Sequence, residues 1–276
     1  MDIRTYYWHG RVASKFKILK NKLRGVDRSR YFVTGNAGDI FTKDIINNIY
    51  SLESKNIKDE GGRLLIVGSI ANVITSGDLL CGIGVKHREI PKASDARCKI
   101  QGLRGPISYD VFKAAGHDVS NVKFLLDPGL LARFITRKRV RRAPKGVIFI
   151  PHYREKTLYQ KGLPPNMSLV DIDAHPLDVF RRIEEAELVY SSSLHGIIFA
   201  HALNRPCVFV KPQTEEPILK YKDYYASINQ DYEEPLDSIY DVNYKSSPMS
   251  PLSLDYKKED FVFPSIESLI ELGIAR

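Results

Sequence analysis

The sequence has no apolar run approaching the roughly 20 residues that cross a bilayer. Its start, Met1 to Arg4 followed by Tyr6, Tyr7 and Trp8, lacks the apolar core of a secretory signal. Cysteine is scarce: Cys81, Cys98 and Cys207 are odd in number and far apart, which argues against a disulfide framework and against a zinc site. Neither a Walker loop nor a dinucleotide fingerprint occurs, so NTP and NAD chemistry are not indicated. No histidines stand at ligand spacing, since His201 falls six residues after His195 on one expected helix. Internal repeats and low-complexity tracts are absent. The expectation is a reduced, cytoplasmic protein with no metal and no cofactor.

Acidic residues are the minority charge, 33 Asp and Glu against 41 Lys and Arg, for a net charge of +8. Much of the excess sits between Arg11 and Arg30 and between Arg133 and Lys145, including Arg137, Lys138, Arg139, Arg141 and Arg142. Such runs suit nucleic acid, anionic lipid or phosphorylated substrates, or form a solvated face. Aromatic residues are not interleaved as single-strand binding requires, so nucleic acid is set aside as a partner. The N-terminal run is expected to make at most a peripheral, salt-sensitive contact with an anionic membrane, lacking an apolar face sufficient for insertion. Oligomeric state is not legible.

Strand and helix patterns alternate along the chain. Tyr31 to Thr34, Leu64 to Val67, Leu79 to Val85 and Val122 to Leu126 read as strands, with helices following Asp39 and Pro106. After the basic stretch, Gly146 to Ile150, Leu169 to Ile172, Leu188 to Tyr190 and Pro206 to Val210 read as strands. Helices are expected from Pro176, from about Gly196 to Leu203, and from Ser265 to Leu272. Such alternation implies an α/β protein with parallel sheets. A division near residue 140 gives an N-terminal unit, 1–140, and a C-terminal unit, 141–276.

Open parallel sheets bind ligands beyond the carboxyl ends of their strands. That rule selects Asn36 to Asp39, Ser69, Arg104, Asp127, His152 to Arg154, Asp173 and Ser191 to Gly196. The last segment is the strongest: small hydroxyl residues, Ser192 and Ser193 among them, then His195 and Gly196 at the mouth of a helix whose free amides favour an anion. A bound anion would hold His195 protonated, as an acid. The alternative is that Ser193 only caps the helix and His195 packs. Asn36 and Gly38 form either a phosphate-facing turn or an ordinary Asx turn capped by Asp39. Arg104 and Arg154 are candidate anion clamps. His152 belongs with Arg154 because adjacent polar groups at a strand end seldom serve packing.

Asn36-x-Gly38-Asp39, Arg104-Gly105-Pro106, Asp127-Pro128-Gly129-Leu130-Leu131 and Ser193-Leu194-His195-Gly196 stand here in one order. Over roughly residues 31 to 212 the set resembles the polysaccharide pyruvyl transferase family, with its succinoglycan and capsule-biosynthesis members. The resemblance implies a GT-B-like fold, two Rossmann-type domains whose parallel sheets face an interdomain cleft, with acceptor on the first and donor on the second. It implies transfer of pyruvate from phosphoenolpyruvate onto a sugar or lipid-linked oligosaccharide as a ketal, with His195 essential. Asp39 is the weaker candidate, as base or acceptor-orienting group. Family members often carry Arg where Ser193 stands here, so the missing charge comes from Arg104 or Arg154, or the donor differs. The competing expectations are a GT-B glycosyltransferase using a nucleotide sugar and a non-catalytic glycan-assembly subunit.

Overall fold

The structure is a computed structural model that describes residues 1–9, 14–24, 32–136, 144–159, 162–241 and 250–276. Among the described residues ten short strands form two sheets whose ladders are parallel. The first comprises β1 (Asp2–Thr5), β2 (Glu53–Asn56), β3 (Leu64–Leu65), β4 (Leu79–Cys81), β5 (Lys99–Leu103) and β6 (Phe124–Leu125), in the order β2-β1-β3-β4-β5-β6. The second comprises β7 (Val147–Ile150), β8 (Met167–Leu169), β9 (Leu188–Ser191) and β10 (Cys207–Phe209), in the order β10-β9-β7-β8. The α/β class with parallel sheets expected from the sequence is therefore present.

Helices α1 (Lys15–Leu23), α2 (Ala37–Tyr50), α3 (Pro106–Ala114), α4 (Ala132–Ile135), α5 (Pro176–Glu185), α6 (Leu194–Ala202), α7 (Leu219–Ser227) and α8 (Ile266–Glu271) complete the chain. Pro106 and Pro176 open α3 and α5 at the positions where a missing N–H costs nothing. Gly116, at φ +83°, follows the end of α3 as anticipated.

One apolar core joins the halves. Phe41 of α2 meets Phe180 of α5 at 5.1 Å and Phe199 of α6 at 5.6 Å, both edge-to-face. The chain end returns to the first sheet, where Ala275 bridges Ile3 antiparallel. No described helix is long and apolar enough to cross a membrane.

Several sequence expectations shift. The segment 32–36 is a loop rather than a strand, because Asp173 takes the amides of Val33, Thr34 and Gly35 at 2.8–3.1 Å in place of a ladder. The first strand lies earlier, at β1, within the stretch read as basic and mixed; its alternation of charged and buried residues is too short to register as a pattern. The strand expected at Leu169–Ile172 is β8, two residues earlier, and α6 begins at Leu194 rather than Gly196. The strand expected to run to Val85 stops at Cys81, after a register shift between Leu80 and Cys81. Helix α7 was not foreseen, since its buried face is built from Tyr221, Tyr224 and Tyr225. On α1, Phe16 (77%), Leu19 and Leu23 (80%) are exposed at helical spacing, so the N-terminal segment does carry an apolar stripe. The basic run 137–143 and the expected boundary near 140 lie outside the described residues.

Candidate active site

A cleft of about 260 Å³ opens beyond the carboxyl ends of strands from both sheets. Tyr6 and Trp8 follow β1, Ser69 and Ile70 follow β3, His152 to Arg154 follow β7, and Ser193 to His195 follow β9. Asn36 and Asp39 enter at the start of α2; Lys86, Glu216 and Lys220 complete the cationic end.

His195 is fixed from the opposite half. Asn36 Oδ1 accepts the Gly38 amide at 3.0 Å, capping α2, and lies 3.3 Å from His195 Nδ1. That oxygen can only accept, so the proton sits on Nδ1 and Nε2 keeps its lone pair. Gly38 exists for the same imidazole: a Cβ there would overlap the His195 ring. The Asx-turn reading of Asn36–Gly38 is the one the geometry shows, and the turn packs on His195.

Burial, with Lys220 and Arg104 nearby, pushes His195 down to about 3, so the resting imidazole is neutral. Burial pushes Asp39 up to about 8, and Asp127 adds to the rise while Lys220 opposes it. Burial thus favours the protonated form of Asp39 and the neutral form of His195.

The positive end is gathered around one carboxylate. Glu216 Oε2 accepts from Lys220 Nζ at 2.6 Å and lies 3.4 Å from Lys86 Nζ; Oε1 lies 3.2 Å from Arg154 Nη1 and 3.5 Å from His152 Nε2. Burial would raise the Glu216 carboxyl, but Lys220, His152 and Lys86 together outweigh it and hold the group at about 2. His152 is pushed down to about 3 by burial and Lys220, and its Nδ1 has no hydrogen-bond partner. Glu216 Oε1 is buried and receives no hydrogen bond either. Three fixed cations thus share one carboxylate at the rim of an open cleft.

The other sequence candidates fall beneath this surface. Arg104 is 1% exposed: Nε donates to Asp223 at 2.9 Å, Nη2 to the Val85 carbonyl at 2.6 Å and Nη1 to Ser69 Oγ at 2.5 Å. It does not line the cleft, and it holds Ser69, which does. Ser192 Oγ donates to Glu155 at 2.6 Å and accepts from the His152 amide at 2.8 Å, bracing the loops after β7 and β9. Gly196 allows the start of α6 to pack on β7, since a Cβ would strike Ser191 Oγ and Ile150. Ser193 precedes α6, lines the cleft and makes no side-chain cap bond. Arg154 lines the same cleft as Ser193, together with Lys220 and Lys86, which sequence reasoning missed. Lys220 was hidden because α7 went unrecognised; Lys86 follows a strand end and was within reach of the carboxyl-end rule.

A family profile for polysaccharide pyruvyl transferase matches residues 39–214. The chain belongs to that family. An uncharacterised protein of Acanthamoeba polyphaga mimivirus is 30% identical over 212 residues, covering 71% of this chain and 72% of its own length. Succinoglycan biosynthesis protein ExoV of Rhizobium meliloti (strain 1021) is 25% identical over 161 residues, 56% of this chain and 48% of ExoV. The chain thus spans about half the length of ExoV. No solved structure matches.

Proposed function

We propose that this pyruvyl transferase family member moves pyruvate from phosphoenolpyruvate onto a sugar of a surface-polysaccharide precursor, forming a ketal, with no separate cofactor. The observation that carries the reading is that Asp39 and His195 share one cleft with Lys86, Lys220 and Arg154, with burial raising the pKa of the first and lowering that of the second. Two titratable groups with pKa values driven apart are the arrangement expected of an acid and a base. We read the two sheets as halves of a GT-B-like transferase divided near residue 140.

The chemistry assigns the parts. The cations and the first-turn amides of α6 hold the carboxylate and phosphate of the donor. Asp39 delivers its proton to the methylene carbon, leaving positive charge on the central carbon. His195 Nε2 takes the proton of the attacking sugar hydroxyl, and the new C–O bond forms at the central carbon. The Asp39 carboxylate takes the proton of the second hydroxyl as it closes the ketal ring, and phosphate departs with the proton held by His195. Asn36 keeps the imidazole in the tautomer this requires. An anionic donor raises the His195 pKa on binding, which strengthens it as a base within the complex.

The test measures phosphate release from phosphoenolpyruvate with a panel of glycosides, and nucleotide release from nucleotide sugars in parallel. Donor-dependent phosphate release, lowered about 10³-fold in His195→Ala with an unchanged melting temperature, is expected. Nucleotide release instead establishes the glycosyltransferase reading, and activity in neither assay favours the assembly-subunit reading.

We place the enzyme on the cytoplasmic face of a membrane bearing lipid-linked acceptor, with α1 as the contact. Its sequence carries four lysines and no acid beside the exposed stripe of Phe16, Leu19 and Leu23. Co-sedimentation with anionic vesicles, lost at high salt and in Phe16→Ser/Leu19→Ser, is the expected result; equal binding to neutral vesicles argues against it.

A further inference from the structure

The cleft has a second surface that the donor does not need. Trp8, from the segment after β1, Phe32, from the loop before α2, and Tyr153, after β7, meet as a three-ring cluster. Centroids lie 5.0 Å apart for Trp8 and Tyr153, 5.1 Å for Phe32 and Tyr153, and 5.2 Å for Trp8 and Phe32. Phe32 is buried at 3% exposure, whereas Trp8 and Tyr153 are half-buried and line the cleft. Arg154 Nε donates to the Tyr153 hydroxyl at 3.1 Å, which fixes that ring.

The electrostatics of the rings select their ligand. An aromatic face carries the negative lobe of its quadrupole, so it repels carboxylate and phosphate oxygens. It attracts the weakly positive C–H bonds on one face of a pyranose, while the hydroxyls at the sugar edge remain free. Ser69 and Asn72 line the same cleft and offer polar partners to such an edge. The cleft therefore carries ring surface from Trp8 and Tyr153 directly beside its cations, the Arg154 guanidinium lying 5.6 Å from the Tyr153 ring centroid.

We propose that Trp8 and Tyr153, braced from below by Phe32, form the acceptor subsite, a stacking platform for one face of a pyranoside. The assignment as acceptor rests on the transferase reading above. Carbohydrate binding on the rings stands apart from it. A purely structural cluster joining the two halves would be needed for stability and would leave sugar affinity untouched.

Trp8 is the single tryptophan of the chain, so intrinsic emission of the intact protein reports on this site alone. The experiment titrates the protein, without phosphoenolpyruvate, with methyl β-galactoside, methyl β-glucoside, methyl α-mannoside and a galactan oligosaccharide. At least one is expected to quench or shift the emission saturably. Tyr153→Ala weakens that binding about tenfold, the loss of roughly one ring contact, and Tyr153→Phe largely restores it. In turnover, Tyr153→Ala raises the acceptor KM by about the same factor and leaves the phosphoenolpyruvate KM within about twofold. An emission response without any phosphoenolpyruvate consumption keeps the carbohydrate subsite and overturns the donor. No response to any glycan overturns the subsite, whether or not phosphoenolpyruvate is consumed; so does a Tyr153→Ala variant altered only in melting temperature.

Discussion

Two of the ion clusters among the described residues, one around Asp78 and one around Glu216, are built on opposite principles. At the amino ends of β3 and β4, Arg63 and Asp78 are both fully buried, and the guanidinium is saturated. It donates to Asp78 at 2.6 and 3.0 Å, to the Lys58 and Val73 carbonyls at 2.6 and 2.9 Å, and to Thr75 Oγ1 at 3.1 Å. Asp78 in return accepts the amides of Arg63 and Thr75. At the cleft, Glu216 faces Lys220, Lys86 and Arg154, its Oε1 in ion-pair range of Arg154 but receiving no hydrogen bond, beside His152 whose Nδ1 receives none either. A buried polar group left short of partners costs stability and persists where something else completes it. The first cluster is closed by its own partners; the second opens on the cleft, where the proposed donor would complete it. Arg104 stands with the first kind, for Asp223, Ser69 and Val85 occupy its donors.

The largest expected effect separates the clusters by stability. Asp78→Ala leaves the Arg63 charge buried without a counter-ion and costs about 3–5 kcal/mol, enough to consume much of a domain's stability. Glu216→Gln is expected to cost less, because water and buffer anions reach Lys86 and Arg154 from the cleft. Urea titrations of both variants, with and without inorganic phosphate, measure the contrast. Phosphate should restore stability to Glu216→Gln and do nothing for Asp78→Ala; equal restoration of both would erase the distinction.

Asp39 gives the next effect, and its sign follows from its raised pKa. The folded chain keeps a proton that the unfolded chain releases from the ordinary value of 3.8, so folding stability from this group is full below that value. It is lost as pH rises through about 8. Asp39→Asn removes that loss and is expected to be more stable than its parent by about 1–2 kcal/mol at alkaline pH, while being inactive. In the parent, kcat/KM should fall about tenfold per pH unit above the Asp39 pKa. Thermal melts of both proteins from pH 5 to 9 test the first statement, and a pH–rate profile tests the second. An advantage that shrinks toward high pH would contradict the buried acid.

Much of this was legible in the sequence, for identifiable reasons. Continuous apolar runs such as Leu64 to Val67 and Val147 to Ile150 announce doubly covered strands, and prolines at helix starts mark α3 and α5. The carboxyl-end rule then brought Asn36, Asp39, His152, Arg154, Ser193 and His195 to one place, where the structure has them. It failed for Arg104, because a strand-end arginine does not disclose whether a distant carboxylate already holds it. Asp223, 119 residues later, does so here. It failed for Lys220 because tyrosines supply the buried face of α7. The direction of the proton could not be read at all, since burial sets the pKa values of Asp39 and His195, and burial comes from packing between the halves.

The finest test lies within the open cluster itself. If the donor anion and Glu216 compete for the same cations, the two partners of one ion pair must act with opposite sign. Lys220→Gln removes a cation and is expected to raise the phosphoenolpyruvate KM about tenfold, the worth of one charge-assisted hydrogen bond. It should also relieve His195, whose pKa Lys220 helps to depress, so the imidazole titrates closer to its ordinary value. Glu216→Gln releases Lys220, Lys86 and Arg154 and is expected to lower the same KM by a few-fold. Initial rates at fixed acceptor give both values, and an NMR titration of His195 checks the accompanying shift. The closed pair offers the control, because Arg63 and Asp78 lie outside the cleft and have no such opposed effects on the donor. Were Lys220→Gln and Glu216→Gln to move KM in the same direction, the cluster would be structural like the first, and the donor's anion would bind elsewhere.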